Sequence, residues 1–298
     1  MRKIIIDTDP GVDDATSLVV ALNSDEFDIK LITTTYGNVG IEKTTKNALF
    51  LVNKFNKNIN VAKGSSHPMQ KALKSAINVH GKNGLGNLEV PSVDKKPIKE
   101  NAIDEMYKII KENKGEITLV ELAPQTNLGQ LFTKYPDCES MVKEIIFEGG
   151  SPYGKEGVKP HISFNISSDP DACDIVLKTK IKKTIIPSEM GRYIAPFSKE
   201  QIERIKTINK TGELLYSMYQ GYKSDCIRET ETNDLCTIMY MLYPEIFKTY
   251  NCEINLDTKV LAGRMFITEK SDGDIIFVED VDRDKFFELF IQNIKKIN

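Results

Sequence analysis

The chain has 298 residues, of which 40% are hydrophobic and 28% are charged. This composition supports a large buried core and excludes an intrinsically disordered chain or a fibre. The 40 basic and 43 acidic residues give a formal net charge of -3. Nucleic acids and anionic membranes are therefore disfavoured as partners, and a small molecule is the expected ligand.

The cysteine pattern and the N-terminus predict an intracellular setting. The five cysteines form an odd set without CxxC spacing, which argues against a disulfide framework and a zinc site. Reduced thiols of this kind are typical of the cytoplasm. The first apolar run ends at Asp7, well short of a signal-peptide core or a membrane span. We therefore expect a cytoplasmic protein.

Short apolar runs alternate with segments of helical periodicity through the first two thirds of the chain. We predict strands at residues 3–6, 29–35, 60–62, 117–122, 142–147 and 183–186. We predict helices after Asp14 and at residues 41–55, 103–111, 128–132 and 169–177. The last of these begins with an Asp-Pro pair, which suits the first turn of a helix.

The last third of the chain has a different pattern. Helical stretches dominate residues 200–243, and a final helix is predicted at 283–296. Between them, segments at 252–257, 259–267 and 274–278 predict antiparallel strands. We predict an α/β fold in one domain over residues 1–298. Its mainly parallel, Rossmann-like sheet is flanked by helices and is followed by a C-terminal helical and antiparallel-strand region.

Residues 64–99 form a polar, glycine-rich stretch that is too long for a simple connector. Long loops of this kind often carry function. Ligands of parallel α/β sheets bind beyond the carboxyl ends of the strands. We therefore expect this stretch to fold over such a site, as a lid.

Four carboxylates crowd the segment that follows the first predicted strand: Asp7, Asp9, Asp13 and Asp14. Like charges this close either raise a pKa or hold a cation, and hard oxygen donors favour Mg²⁺ or Ca²⁺ over zinc. Asp13 and Asp14 could instead cap the following helix. Capping does not account for Asp7 and Asp9, so the segment predicts a metal or catalytic site.

The segment DTDPGVDDA at residues 7–15 resembles the N-terminal signature of the inosine-uridine preferring nucleoside hydrolases. Further segments resemble this family in the same order along the chain. They are TTYGN at 34–38, HG at 80–81 with GLG at 84–86, PQTN at 124–127, GG at 149–150, FN at 164–165, DP at 169–170 and ND at 233–234. The resemblance implies the family's fold and a calcium-dependent enzyme that cleaves the N-glycosidic bond of ribonucleosides, releasing ribose and base.

The resemblance also implies roles for individual residues. The metal ligands for Ca²⁺ would be the side chains of Asp9, Asp14 and Asp234 and the backbone carbonyl of Thr126. Asp9 would also act as the general base. The substrate would be bound by Asp13, Asn38, His80 and Asn165. Relatives of this kind are commonly homodimers or homotetramers, so we expect a homo-oligomer.

Several positions depart from the family pattern. Ser163 stands where the family has the glutamate of EFN, and Gly157 falls near an asparagine that holds the ribose 5′-hydroxyl. Glu148 replaces the methionine of MGG. Asn233 replaces a histidine credited with helping the base to depart, and asparagine cannot act as a general acid. By location, the candidates for that acid are His161, Tyr219, Tyr222, Arg228 and Glu231. We therefore expect a substrate other than plain inosine or uridine.

Two other functions fit parts of this pattern. Asp7-Thr8-Asp9 has the DxD form of haloacid-dehalogenase-like Mg²⁺ phosphatases, although the proline after Asp9 and the Asp13-Asp14 pair count against this. Alternatively, the departures at Asn233, Ser163 and Gly157 suit a non-catalytic, calcium-stabilised protein that binds ribose or nucleosides. Phosphate release, sugar release and binding without turnover would separate the three hypotheses.

Overall fold

The computed structural model describes residues 1–86, 88–151, 162–223 and 229–297. The strands in these ranges are β1 (Arg2–Thr8), β2 (Phe27–Thr34), β3 (Val61–Lys63), β4 (Thr118–Glu121), β5 (Glu144–Glu148), β6 (Lys183–Ile186), β7 (Phe197–Ser198), β8 (Glu229–Thr230), β9 (Phe247–Asp257), β10 (Arg264–Glu269) and β11 (Ile275–Val281). Nine of these strands form one sheet in the order β10-β9-β11-β6-β5-β4-β1-β2-β3, and β7 pairs with β8 separately.

The helices lie mainly between consecutive strands of the sheet. They are α1 (Val12–Leu22), α2 (Ile41–Lys54), α3 (Ile77–His80), α4 (Ala102–Glu112), α5 (Thr126–Lys134), α6 (Phe164–Ser168), α7 (Pro170–Lys178), α8 (Lys199–Lys206), α9 (Lys210–Tyr219), α10 (Asn233–Leu242) and α11 (Arg283–Lys296). A short π-helical segment covers Met190–Ile194. No helix in the described ranges is both long enough and apolar enough to cross a membrane.

The seven strands from β3 to β11 along the sheet pair in parallel. This confirms the predicted mainly parallel sheet. The predicted antiparallel strands are also present, because β9 runs antiparallel to both β10 and β11. One edge of β11 pairs antiparallel with β9 and the other edge pairs in parallel with β6. Periodicity alone did not indicate this mixed pairing.

The apolar runs that predicted the strands are explained by burial on both faces of the sheet. Ile4 and Ile6 of β1 belong to one apolar cluster, whereas Ile5 belongs to the other. Successive side chains of a strand point to opposite faces, so an uninterrupted apolar run is what a strand covered on both sides requires. On one face α1 packs against α10, and on the other α5 packs against α7.

The start of β10 differs from the prediction for a local reason. The strand predicted at 259–267 begins at Arg264, because Asp257 side-chain oxygens accept hydrogen bonds from Lys259 N at 2.7 Å and Leu261 N at 3.1 Å and form a turn. Gly263 closes this turn at φ +96°. The short helices α3 and α6 were not predicted, because each is too short to show a helical period.

Part of the stretch at 64–99, of which all but residue 87 is described, is bonded to residues beyond the carboxyl ends of the parallel strands. Met69 N donates to Asp169 Oδ2 at 2.8 Å, and Ser75 Oγ donates to Asn38 O at 3.2 Å. Asp169 also caps α7 by accepting from Ala172 N, which confirms the predicted Asp-Pro helix start. The stretch thereby forms one wall of a cavity above the sheet.

Candidate functional site

A cavity of about 210 Å³ lies beyond the carboxyl ends of the parallel strands. Five of the predicted site residues line it: Asp13, Asn38, His80, Asn165 and Asp234. These five residues lie in α1, in the segment after β2, and in α3, α6 and α10. Five separated parts of the chain therefore converge on the cavity. The remaining predicted residues are fully buried: Asp9 follows β1, Asp14 lies in the first turn of α1 and Thr126 begins α5.

Three carboxylates form a buried cluster at the floor of the cavity. Asp13, Asp14 and Asp234 each present an oxygen, and these oxygens lie within 4.8 Å of one another. Burial, followed by neighbouring carboxylates, raises the pKa of all three, and that of Asp13 reaches about 7. A divalent cation would relieve this repulsion, and an all-oxygen donor set suits a hard cation.

Asp9 lies beside this cluster with one oxygen held and one oxygen open. Its Oδ2 accepts a hydrogen bond from Asn38 N at 2.5 Å, whereas Oδ1 is buried and has no hydrogen-bond partner among the described residues. A buried carboxylate oxygen without a donor requires a proton, a water or a cation. Burial and the charge of Asp14 raise the pKa of Asp9 well above its usual value. This side chain fits a metal ligand or a base.

The TTYGN segment is explained by its close contact with Asp9. Gly37 has a φ of +153°, and a Cβ at this position would lie 1.9 Å from Asp9 Oδ2. Only glycine therefore fits here. The next residue, Asn38, donates from its backbone to Asp9 and from Nδ2 to Asp14 Oδ2 at 2.7 Å.

Asp14 organises the loop between β1 and α1. Its Oδ1 accepts from Thr8 Oγ1 at 2.5 Å and Asp9 N at 3.2 Å, and its Oδ2 accepts from Gly11 N at 3.0 Å in addition to Asn38. The bond from Gly11 N is the capping interaction considered from the sequence. Asp14 thus caps α1 and also belongs to the carboxylate cluster.

His80 is a neutral side chain on the cavity wall. Its Nδ1 accepts a hydrogen bond from Val12 N at 3.1 Å, so the ring proton is on Nε2. Burial lowers the pKa of His80 to about 4. The 3.7 Å approach of Nδ1 to Asp13 Oδ1 is therefore not an ion pair near neutral pH. The imidazole ring lies against Tyr222, with centroids 5.2 Å apart.

Thr126 begins α5, and its side chain is directed into the protein. Its Oγ1 is 3.0 Å from the Tyr36 hydroxyl and donates to Asp169 Oδ2 at 2.7 Å. These bonds connect the PQTN and DP segments to the residue before Gly37. A ligand role for the backbone carbonyl of Thr126 stays a prediction.

The residues that depart from the family pattern cluster at the cavity. Glu148, Ser163 and Asn233 all line it, together with Tyr222 and Glu231. Asn233 Nδ2 donates to Glu231 Oε2 at 3.2 Å, and Glu231 Oε1 lies 3.6 Å from Arg192 Nε. Gly157, His161 and Arg228 lie outside the described residues. Tyr219 instead packs in the core, with its hydroxyl 3.0 Å from Thr16 Oγ1.

The sequence did not indicate Arg192 or Ser188, which also line the cavity. Both follow β6, and the only available signal was their position after a parallel strand.

Asp7, the nucleophile of the phosphatase hypothesis, is 1% exposed. Its Oδ1 accepts from Thr33 Oγ1 at 2.5 Å and Asn127 Nδ2 at 2.7 Å. A buried and bonded carboxylate of this kind is unsuited to attack a phosphomonoester.

The described geometry agrees with comparisons to known proteins. The family model of the inosine-uridine preferring nucleoside hydrolases matches residues 4–288. The chain belongs to this family. The non-specific ribonucleoside hydrolase RihC of Salmonella newport (strain SL254) is 32% identical over 257 residues, which cover 86% of this chain and 83% of the relative.

Two solved structures share the fold over nearly the whole chain. A plant nucleoside hydrolase, the PpNRh1 enzyme, is 28% identical with a TM-score of 0.90 and 99% coverage of both chains. A purine-preferring ribonucleoside hydrolase from Gardnerella vaginalis is 25% identical with a TM-score of 0.91, again covering 99% of both chains. The predicted family, fold class and enzyme class are therefore confirmed. This protein is an N-ribohydrolase that hydrolyses ribonucleosides to ribose and base.

Proposed function

We propose that this N-ribohydrolase depends on Ca²⁺, with Asp9 as the general base. The observation that supports this most directly is the buried cluster of Asp13, Asp14 and Asp234 beside an Asp9 oxygen that has no described partner. Repelling carboxylates together with an open carboxylate oxygen fit a cation and a proton acceptor better than a purely structural role.

The residues that would hold the ion are Asp9, Asp14, Asp234 and the backbone carbonyl of Thr126. Carboxylate and carbonyl oxygens from separated loops suit the flexible shell of six to eight donors that Ca²⁺ takes. A bound cation of this kind makes water more acidic and orients hydroxyl groups. The predicted oxygen set contains no thiolate or imidazole, so zinc is disfavoured.

Asp9, Asp13 and Glu148 would have different roles in the reaction. Asp9 Oδ1 would accept a proton from the water that attacks C1′ of the ribose. Cleavage of a glycosidic bond passes through an oxocarbenium-like state. Asp13 and Glu148 line the cavity, so their carboxylates would stabilise the positive charge that develops on the sugar.

The base side of the cavity favours substrates whose base departs readily. Asn233 cannot donate a proton as an acid. Neutral His80 has no imidazolium proton to give, and burial raises the pKa of Tyr222 well above its usual value. Together the His80 and Tyr222 rings offer a surface on which a base can stack. We infer that the preferred substrate differs from plain inosine or uridine in its base or its 5′ group.

The remaining expectations concern the protein as a whole. We propose one domain over the full chain, a small-molecule ribosyl substrate, and a cytoplasmic homodimer or homotetramer. The family match over residues 4–288 supports the ribosyl substrate, and the continuous nine-stranded sheet supports the single domain. Size-exclusion chromatography with light scattering measures the oligomeric state directly.

A product-resolved screen tests the proposed function. Purified protein is incubated with nucleosides, 5′-modified nucleosides and ribosylated metabolites, with Ca²⁺ or with a calcium chelator. We expect reducing sugar and free base only when Ca²⁺ is present. Nucleoside binding without turnover at high enzyme concentration would favour the non-catalytic alternative. Equal turnover in the chelated sample would overturn the calcium dependence.

A further inference from the structure

Glu148 is a buried carboxylate at the cavity whose two oxygens are both bonded to protein. It ends β5, is 4% exposed and lines the cavity. Ser188 Oγ donates to its Oε1 at 2.7 Å, and Asn165 Nδ2 donates to its Oε2 at 2.8 Å. Glu148 therefore connects the segment after β6 to the helix α6.

These bonds fix which atom of the Asn165 amide a ligand can reach. Asn165 Nδ2 has two hydrogens, and they are directed to Leu122 O at 2.9 Å and to Glu148 Oε2. The opposite orientation of the amide would place Asn165 Oδ1 against the Leu122 carbonyl, which cannot donate to it, and against Glu148, whose carboxylate form cannot donate either. The group left for a ligand is therefore Oδ1, which accepts hydrogen bonds and does not donate them.

We propose that Glu148 is a positioning residue that makes the cavity selective for a sugar hydroxyl at Asn165. This inference rests on the proposed function, in which Asn165 binds the ribose. A ribose hydroxyl can donate to Asn165 Oδ1, whereas a deoxy position leaves that oxygen buried without a partner. Sites built to bond a substrate hydroxyl reject analogues that lack it, because the protein group is then left unpaired.

The carboxylate is the part of Glu148 that sets this selectivity. Methionine at position 148 has no carboxylate to accept a hydrogen bond from Asn165, so Leu122 O alone then holds the amide and its NH₂ group is freer to turn toward the sugar. Glutamine has a carbonyl oxygen that still accepts from Asn165, and its NH₂ group can donate to the Ser188 hydroxyl. Glu148→Gln therefore removes the charge and keeps the orientation, which makes it the matched control for Glu148→Met.

The test compares a ribonucleoside with its 2′-deoxy and 3′-deoxy analogues in the calcium-loaded wild type, Glu148→Gln and Glu148→Met. For at least one analogue, we expect the ribo to deoxy ratio of kcat/KM to fall about 10-fold or more in Glu148→Met, as for the loss of one hydrogen bond. The ratio in Glu148→Gln should stay within about 3-fold of the wild type. An unchanged ratio in Glu148→Met, or an equal fall in Glu148→Gln, overturns the positioning role.

Two further measurements keep the inference testable on its own. If Glu148→Met does not fold, Ser188→Ala removes one of the two anchors of Glu148, and the same ratio should fall by a smaller factor. If the wild type hydrolyses none of the nucleosides, the proposed function fails. The positioning role is then decided by calorimetric Kd values for the same ligands, whose ratio must collapse in Glu148→Met for the inference to stand.

Discussion

Asn38 holds Asp9 with two hydrogen bonds. The Asn38 backbone N–H donates to Asp9 Oδ2 at 2.5 Å, and Asn38 Nδ2 lies 3.2 Å from the backbone carbonyl of Asp9. The segment after β2 thereby fixes the segment after β1 from both its side chain and its main chain. Oδ1 of Asp9 is buried without a hydrogen-bond partner among the described residues, so it is the oxygen left for the proposed chemistry.

We expect Asp9→Ala to abolish nucleoside hydrolysis while the protein stays folded. The change removes a proposed general base and a metal ligand together, and a general base alone contributes about 10²- to 10⁴-fold to the rate. The measurement is kcat/KM with Ca²⁺ present, with circular dichroism to check folding. Asp25→Ala is the matched control, because Asp25 is exposed and lies outside the site. Unchanged hydrolysis in Asp9→Ala would refute the assignment.

The family, the sheet and the convergence of the predicted site residues on one cavity were predictable from the sequence for a physical reason. Parallel strands end at a common edge, so motifs that follow separate strands meet there. Asp13 from the first loop and Asp234 from α10 therefore approach each other, although 221 positions separate them in the sequence. The GG and FN segments likewise indicated the ends of β5 and the start of α6.

The bonding inside the site was not predictable, because it depends on side-chain direction and burial. The sequence gives no sign that His80 accepts a hydrogen bond from Val12 N, which sets its tautomer and charge. It also gives no sign that Glu148 and Asn165 are bonded. The family pattern shows that position 148 has a glutamate in place of a methionine. Only the structure shows that Ser188 and Asn165 donate hydrogen bonds to it.

The stability of the metal-free protein should fall as the pH rises. Burial raises the folded-state pKa of Asp13 from 3.8 to about 7 and that of Glu148 from 4.5 to about 8. Between those values the folded state binds more protons than the unfolded state, so unfolding becomes easier with rising pH. The stabilisation is complete below about pH 4 and is lost as the pH rises through about 7 to 8.

Thermal unfolding of the chelated protein between about pH 5 and pH 8 measures this effect. Tm should decrease steadily with pH when the metal is absent. Added Ca²⁺ should raise Tm most at the upper end of this range, because the ion binds the ionised carboxylates of the folded state. A Tm that rises with pH in the chelated protein would contradict the raised pKa values of Asp13 and Glu148 in the folded state.

Asp234→Ala should weaken calcium binding. Asp234 is one of three carboxylates whose oxygens lie within 4.8 Å, and calcium affinity depends on the number of charged ligands. We expect the Kd for Ca²⁺ to rise by about 10-fold or more, since the loss of about 1.4 kcal/mol of binding free energy is one factor of ten. Isothermal titration with CaCl₂ gives this value. Asp272→Ala, at an exposed position, should leave the affinity unchanged, and an equal loss in both variants would argue against a specific site.

Asn233→His should increase the turnover of inosine. Asn233 lines the cavity and is followed by the proposed metal ligand Asp234. An imidazole has a pKa near neutrality and can protonate a departing base, whereas an amide cannot. A gain of about 10-fold in kcat is expected, below the usual range of about 10²- to 10⁴-fold for general acid catalysis because the surrounding contacts are not adapted to it. If kcat does not increase, the base leaves by another route.

Ser163→Glu should narrow the range of 5′ groups that the cavity accepts. Ser163 lines the cavity, and its Oγ is buried without a hydrogen-bond partner among the described residues. A glutamate here can accept a hydrogen bond from a 5′-hydroxyl but repels a 5′-phosphate, and with a 5′-deoxy sugar the glutamate itself is left unpaired. The readout is the ratio of kcat/KM for a nucleoside to that for its 5′-deoxy analogue. We expect this ratio to be near one in the wild type and to rise about 10-fold in the variant. A wild-type enzyme that already rejects the 5′-deoxy analogue strongly would mean that another residue binds the 5′-hydroxyl.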